Sequence, residues 1–368
     1  MPVKDLHNKP FDKGTIAKLE LFEDYAQAWI PTFVMKGEKE IHIFDFFAGP
    51  GYDSNNVPGS PIRILNKINE QLGNIFSKGT KIIVHFNEFD FDKLKVLENN
   101  CTEYLSLNPK FKHFLKLNFY NDDAYSLFYK LFPIIEKYPS LIYLDQNGIK
   151  FISAEFILKL ENLKTTDWLL FVSSSYFKRL GNTDEFKKIV EFKPEELAKI
   201  KYSNIHKMVL DKVKAILSTN TELMLFPFSI KKGANIYGVI FGATHLRAVD
   251  KFLEISWKKN EINGEANFDI DEDQSKAQFE IFSTKKLTKI EKFKEELKVQ
   301  ILNGSIKNNK EALIFTYETG NFYRNANQLL KKLKKSGDVF YEGKTPGISY
   351  NNALNWKTKR IITFQQKS

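Results

Sequence analysis

The chain has 368 residues, of which 42% are hydrophobic and 27% charged, enough apolar material to fill one large core and a smaller one. The single cysteine, Cys101, excludes an intrachain disulfide and a protein-only cysteine cluster, and no metal site is indicated. With no apolar leader and no run near the roughly 18–20 apolar residues that cross a bilayer, the sequence reads as a cytoplasmic protein without a membrane span. The net charge of +10 is unevenly placed, because residues 287–368 hold 16 Lys or Arg against 7 Asp or Glu, leaving +1 for residues 1–286. A block that basic suits a polyanion partner through phosphate neutralisation, or a solubilising surface.

Apolar residues at Ile16, Leu19, Phe22, Tyr25, Ala26 and Trp29 predict a helix over 15–35, with Thr15 as N-cap. The run IHIFDFFAGPGY, Ile41 to Tyr52, then reads as a buried parallel strand ending near Asp45 and entering a glycine-rich turn, Phe46-Phe47-Ala48-Gly49-Pro50-Gly51. The glycines let backbone approach a ligand and Pro50 stiffens the turn; an ordinary βα turn has the same composition. Ser60 is placed to cap the next helix, with Pro61 in its first turn. A second strand, KIIVHFNE, ends in Glu88, where nucleotide-binding α/β sheets place the acid that hydrogen-bonds a ribose diol; a helix cap is the alternative. His113–Leu117 reads as a third strand, and Asn118, Asn121, Asp122 and Asp123 follow in a polar turn that suits an adenine edge or a cap.

The fourth strand, LIYLDQNG, ends in Asp145, at the edge where open α/β sheets form their sites, which makes it the leading catalytic candidate. Ser153 caps a further helix, DWLLFVSSSYF supplies a fifth strand, and 183–217 reads as a helical insertion. Two strands, Glu222–Ser229 and Ile236–Ala243, are joined by a connection too short for a helical crossover, so they must pair antiparallel. The expected fold is therefore α/β, a Rossmann-like class I methyltransferase sheet with an antiparallel closing hairpin, filling residues 1–260. A polar stretch, 261–286, reads as a linker. Three helices and a β-hairpin over 287–368 give the winged-helix order, and the third helix offers Arg324, Asn325, Asn327, Gln328, Lys331, Lys332, Lys334 and Lys335 to base edges and phosphates, or to a protein surface.

With those residues placed, the chain resembles the three-Cys-motif partner family, whose members look like S-adenosylmethionine (SAM)-dependent methyltransferases. The resemblance rests on TIAKLELFEDYAQAW, on DFFAGPGY followed by GSP, and on YGVIFGATHLRAVDKFLEISW, within residues 15–258. It implies SAM as cofactor, with Asp45, Gly49 and Gly51 cradling its methionine part beside Phe47 and Ala48 and Glu88 on its ribose, which leaves Asn118 or Asp122 of the polar turn as the candidates for its adenine. It also implies a three-Cys-motif iron-sulfur partner protein and a place in bacterial defence or a modification system; nucleic acid as acceptor follows from the basic winged-helix reading of residues 287–368. Where the family has Asp-Pro-Phe-Gly, this chain has Asp145-Gln146-Asn147-Gly148: Asp145 remains to accept an N–H from a target amine and Gln146 and Asn147 to add hydrogen bonds, while Phe151 or Tyr176 would have to supply the stack on a flipped base. A protein that binds SAM without transferring its methyl group is the alternative.

Overall fold

The computed structural model describes residues 9–145, 150–173, 204–232, 235–276 and 287–366. They divide into two compact units, Met1–Ala248 and Val249–Ser368. No helix among the described residues is long and apolar enough to cross a membrane.

The first unit is built on a seven-stranded sheet: β1 (Glu40–Asp45), β2 (Lys81–Asn87), β3 (Leu115–Tyr120), β4 (Ser140–Leu144), β5 (Thr166–Ser173), β6 (Met224–Lys232) and β7 (Asn235–Ala243), in the order β3-β2-β1-β4-β5-β7-β6. β1 to β5 are parallel, whereas β7 runs antiparallel to both β5 and β6. The antiparallel β6–β7 pairing is the one their short connection anticipates. β4 is buried at every position and β1 at all but Glu40, as central parallel strands must be when helices cover both faces. The strand order reverses between β1 and β4, so a crevice opens outside their carboxyl ends, where Asp45 and Asp145 stand.

Helix α1 (Lys13–Lys36) lays Phe22 flat on Tyr143 of β4, with ring centroids 4.0 Å apart, and its buried Tyr25 hydroxyl donates to Asp167 Oδ2 at 2.7 Å. Its N-cap is Asp12, whose side chain accepts from the Thr15 N–H, so the expected Thr15 cap is one turn too late. In α2 (Ser60–Glu70) Gly59 occupies the cap position and Ser60 is already helical, while Pro61 sits in the first turn as expected. Beneath α3 (Ala124–Lys137) and α4 (Ala154–Glu161) lies an aromatic core of Phe44, Phe46, Phe128, Phe151 and Phe156. Of the expected insertion, 204–217 is described and forms the helix Ile205–Ile216; residues 183–203 lie outside the described residues.

In the second unit three helices, Lys289–Leu302, Asn309–Glu318 and Tyr323–Ser336, precede a short antiparallel pairing of Val339–Phe340 with Gln365–Gln366. The first helix opens on a reciprocal capping box between Thr288 and Glu291, and the third is closed by Gly337 in the left-handed region. The described part of the expected linker is folded: Asn263 and Ala266 are buried, and Lys289 reaches back to the Asn263 carbonyl at 2.8 Å and to Glu265 at 2.7 Å.

A line of hydrogen-bonded side chains crosses the parallel strands, from Glu40 to His42 (3.0 Å), His85 (2.9 Å) and the Tyr120 hydroxyl (3.0 Å). Burial, then the neighbouring His42 and Lys116, push His85 down to about 3, and burial also lowers His42 against the pull of Glu40. The stability that neutral His85 contributes is full above its ordinary value of 6.5 and lost as pH falls toward 3. Asp167 acts oppositely: burial raises it to about 7 against the pull of the Tyr25 hydrogen bond, so its contribution is full below 3.8 and lost as pH rises to 7. Asp167→Asn therefore steepens the rise of unfolding free energy between pH 4 and 7, by at most about 4 kcal/mol for a shift of this size, in urea titrations. Parallel pH curves for wild type and variant would refute it.

Candidate functional site

Asp45 ends β1 inside the sheet, only 1% exposed. Its Oδ1 accepts the Phe47 N–H at 3.1 Å, which bends the chain sharply out of the strand, while buried Oδ2 is left without a well-formed hydrogen bond. Burial raises the carboxyl to about 7; the Ser60 side chain and the Phe47 N–H pull it down, and Asp145 and Glu88 push it up. An acid held so unfavourably at the mouth of a crevice has acceptor capacity that a donor could satisfy.

The turn beyond is shaped by its glycines. Gly49 and Gly51 have φ of 64° and 95°, the left-handed region, and a Cβ on Gly51 would come within 3.3 Å of Leu97 and 3.6 Å of Asn100 and Ile62. Gly51 is thus required by backbone conformation and by packing against the protein's own interior. Asn100 holds the Pro50 carbonyl at 2.7 Å, and the Ala48 N–H donates to the Asn87 carbonyl at 2.9 Å. Glu88 follows β2 and clamps this turn, one oxygen accepting the Gly49 N–H and the other the Asp90 N–H, both at 2.9 Å. Each carboxylate oxygen retains a lone-pair direction for a further donor, as a ribose diol needs.

Sequence reasoning misses Asn87. This buried residue ties the loops after β1 and β3 together, donating to the Phe46 and Asp122 carbonyls and accepting the Asp122 N–H at 3.1 Å. Asp122 is thereby fixed beside the turn, its own carboxylate on Lys130 at 3.1 Å, and Asn121 caps the Glu88 and Phe89 carbonyls at 2.8 Å. Asn118 is elsewhere. The third strand starts two residues later and ends three residues later than expected, so Asn118 lies within it, 3.4 Å from His85 Nδ1.

Asp145 follows directly on β4 and pairs with Lys18, which reaches it from α1 and also lies over the Phe171 ring at 4.4 Å. Both side chains are largely sequestered, at 11% and 24% exposure for Lys18 and Asp145. Asp145 does not cap the following helix, since Ser153 does so itself. Between the two aspartates the buried Tyr143 hydroxyl has no hydrogen-bond partner and is pushed up, by burial first and then by Asp145 and Asp45. Gln146, Asn147 and Tyr176 lie outside the described residues. Phe151 is buried against Phe47, Tyr125 and Phe156, so it cannot supply the missing stack. Asp45, Phe47, Ala48, Gly49, Gly51, Glu88, Asp122 and Asp145 thus gather at one edge of the sheet.

In the second unit, Ala326, Leu329, Leu330 and Leu333 bury one face of Tyr323–Ser336 and leave Arg324, Gln328, Lys331, Lys332 and Lys335 exposed. Gln328 accepts from Lys294 of the first helix at 3.0 Å, and Lys294 is lowered by burial first and then by the charge of Lys332, against Glu291. Asn327 is not part of that face, because its amide donates to the Ile348 carbonyl at 2.6 Å and its oxygen accepts the Ile348 N–H. Lys334 is likewise engaged, on the Tyr341 and Gly343 carbonyls. No group of three or more His, Cys, Asp or Glu suited to a metal ion occurs among the described residues.

No protein-family model matches the sequence, and no curated protein does. Among solved structures the chain is similar to Trm1 from Pyrococcus horikoshii in complex with S-adenosyl-L-methionine, at 12% identity and a TM-score of 0.35, over 66% of this chain and 59% of that one. It is similar also to the O-methyltransferase TomG from Streptomyces achromogenes in complex with SAM, at 8% identity and TM-score 0.33, over 64% and 90% of the two chains. A putative O-methyltransferase from Klebsiella pneumoniae gives 11% identity, TM-score 0.32 and the same coverage. Similarity this slight places no ligand and no activity on the chain.

Proposed function

We propose that the first unit binds SAM at the carboxyl ends of β1, β2 and β4 and transfers its methyl group to nucleic acid, for which the basic face of the second unit, read as a winged helix, is the binding surface. The observation that carries this reading is Asp45, a buried carboxyl with an orphaned oxygen, under a turn that a second acid, Glu88, holds open. When bound, SAM supplies a sulfonium methyl open to direct in-line displacement, so no covalent protein nucleophile is required. The chain's work is positioning and exclusion of water. Asp45 accepts a donor from the methionine part, Glu88 accepts the ribose hydroxyls, and Asp145 orients the acceptor's N–H. The Lys18–Asp145 pair favours a second reading, a SAM-binding protein without transfer chemistry that serves a three-Cys-motif partner, because it occupies the acid an acceptor would need.

The two readings part on turnover. Calorimetry with SAM and with S-adenosylhomocysteine is expected to show binding to the full chain, and Glu88→Ala to weaken it about 10- to 100-fold, the range of two charge-assisted hydrogen bonds. No heat and no thermal shift with either ligand at millimolar concentration removes the cofactor assignment. Tritium passing from methyl-labelled SAM into total nucleic acid marks the enzyme; binding without transfer to nucleic acid or lysate protein marks the sensor.

A further inference from the structure

We infer that Trp356 is a base-stacking residue, and that the loop carrying it makes the second unit a binder of unpaired nucleic acid strands. This deepens the nucleic-acid reading above and rests on it. The chain has four tryptophans: Trp29, Trp168 and Trp257 are buried, whereas Trp356 is 79% exposed.

The loop is built to hold it there. Its neck is pinned by one buried residue, Asn309, whose amide donates to the Gly347 carbonyl at 3.1 Å and the Arg360 carbonyl at 2.9 Å, while its side-chain oxygen accepts the Ile362 N–H at 3.0 Å. Gly347 has φ of 66°, and a Cβ there would meet Ile362 at 2.7 Å, so the neck accepts no other residue without rearrangement. Asn327 fixes the next position, Ile348. Further out, Ser349 caps a single turn, Tyr350–Ala353, and the segment after it folds back on itself: the Thr358 hydroxyl donates to the Asn351 carbonyl (2.6 Å), the Arg360 N–H to the Asn352 carbonyl (2.7 Å) and the Lys359 N–H to the Asn355 carbonyl (2.8 Å). Trp356 stands in that turn, whose hydrogen-bonded backbone lowers the entropy cost of binding.

The surroundings favour a nucleic acid over a protein or lipid. Residues 344–364 carry Lys344, Lys357, Lys359 and Arg360 and no acid of their own, and only Arg360 of these is paired, with Glu342 at 3.1 Å, among the ion pairs of the described residues. Lys357 lies 5.1 Å over the Trp356 ring. An exposed aromatic face set among cations matches a base stacked beside its phosphates, and only an unpaired base offers that face away from a duplex end. Paired bases in mid-duplex do not.

The test uses the full chain and fluorescence anisotropy, with a dye-labelled oligothymidylate of about 20 nucleotides and a duplex of about 20 base pairs as probes, from 50 to 200 mM salt. Trp356→Ala is expected to weaken single-strand binding about 10-fold or more, to leave duplex binding within two-fold, and to keep the salt slope, whereas Trp356→Phe retains most of the affinity. Replacing Lys357, Lys359 and Arg360 by Ala lowers the single-strand salt slope by about 2, at roughly 0.7 per phosphate contact. Because Trp356 is exposed, the variants keep the wild-type melting temperature, which confirms the fold. Wild-type single-strand affinity in Trp356→Ala, or equal losses on both probes, overturns the inference alone. A wild-type chain that binds neither probe removes the nucleic-acid reading as a whole and leaves the tryptophan to a protein partner.

Discussion

Asp145→Ala is expected to lower methyl transfer by roughly 10²- to 10⁴-fold, the contribution of a positioned acid or base, while SAM affinity stays within a few-fold. The acid stands at the end of β4, and the proposed cofactor contacts come from the turns after β1 and β2. The same substitution strips Lys18 of its partner and leaves an ammonium, 11% exposed, between α1 and the Phe171 ring. Breaking a sequestered pair from one side leaves an uncompensated charge, so stability falls by about 1–3 kcal/mol, short of the fully buried case because Asp145 keeps some water. Lys18→Met should cost less, since the freed Asp145 is the more exposed partner. The double variant then recovers part of the loss, and the interaction energy from a urea double-mutant cycle measures the coupling. Additive losses would show that the pair is not a unit; full transfer by Asp145→Ala would show that the acid does not meet the acceptor.

Much of the sheet is legible in the sequence because central parallel strands are apolar throughout: Ile41–Phe44 and Leu141–Leu144 need no partner to be recognised. The hairpin follows from arithmetic alone, as a connection of a few residues between β6 and β7 cannot cross the sheet. What failed depends on contacts distant in sequence. Asn118 reads as a turn residue until His85, on the neighbouring strand, gives a polar side chain a partner inside β3. Asn327 has the chemistry of a base reader and is occupied by Ile348, 21 residues on. Lys18 sits among the polar positions of an amphipathic helix, and nothing local marks it as the partner of an acid 127 residues away. Asn87 and Ser60 escape for the same reason: what they touch is set by how strands and loops converge, which periodicity does not encode.

Asp45→Asn is expected to stabilise the protein above neutral pH and to weaken SAM binding at least 10-fold, the signature of a residue retained for a ligand at the expense of the fold. Burial raises the folded-state carboxyl from 3.8 to about 7. Its contribution to stability is therefore full below 3.8 and lost as pH rises through 7, where the folded protein must carry a buried charge that the unfolded chain carries in water. A shift of that size bounds the loss at about 4 kcal/mol. Asn keeps the oxygen that accepts the Phe47 N–H and never ionises, but it buries an amide group where Oδ2 lacked a well-formed partner, at a cost of about 1–3 kcal/mol. The net gain at pH 8 is therefore at most about 1–3 kcal/mol by urea unfolding. At pH 4 the wild-type carboxyl is already protonated and the gain vanishes, leaving only the amide cost. The affinity moves the other way, because an amide offers a donor where a cationic or hydroxylic ligand group needs an acceptor. An advantage of the same size at pH 4 and pH 8 would mean that the charge of Asp45 is not what the fold opposes. Undiminished SAM binding by the variant would mean that the orphaned oxygen does not face the ligand.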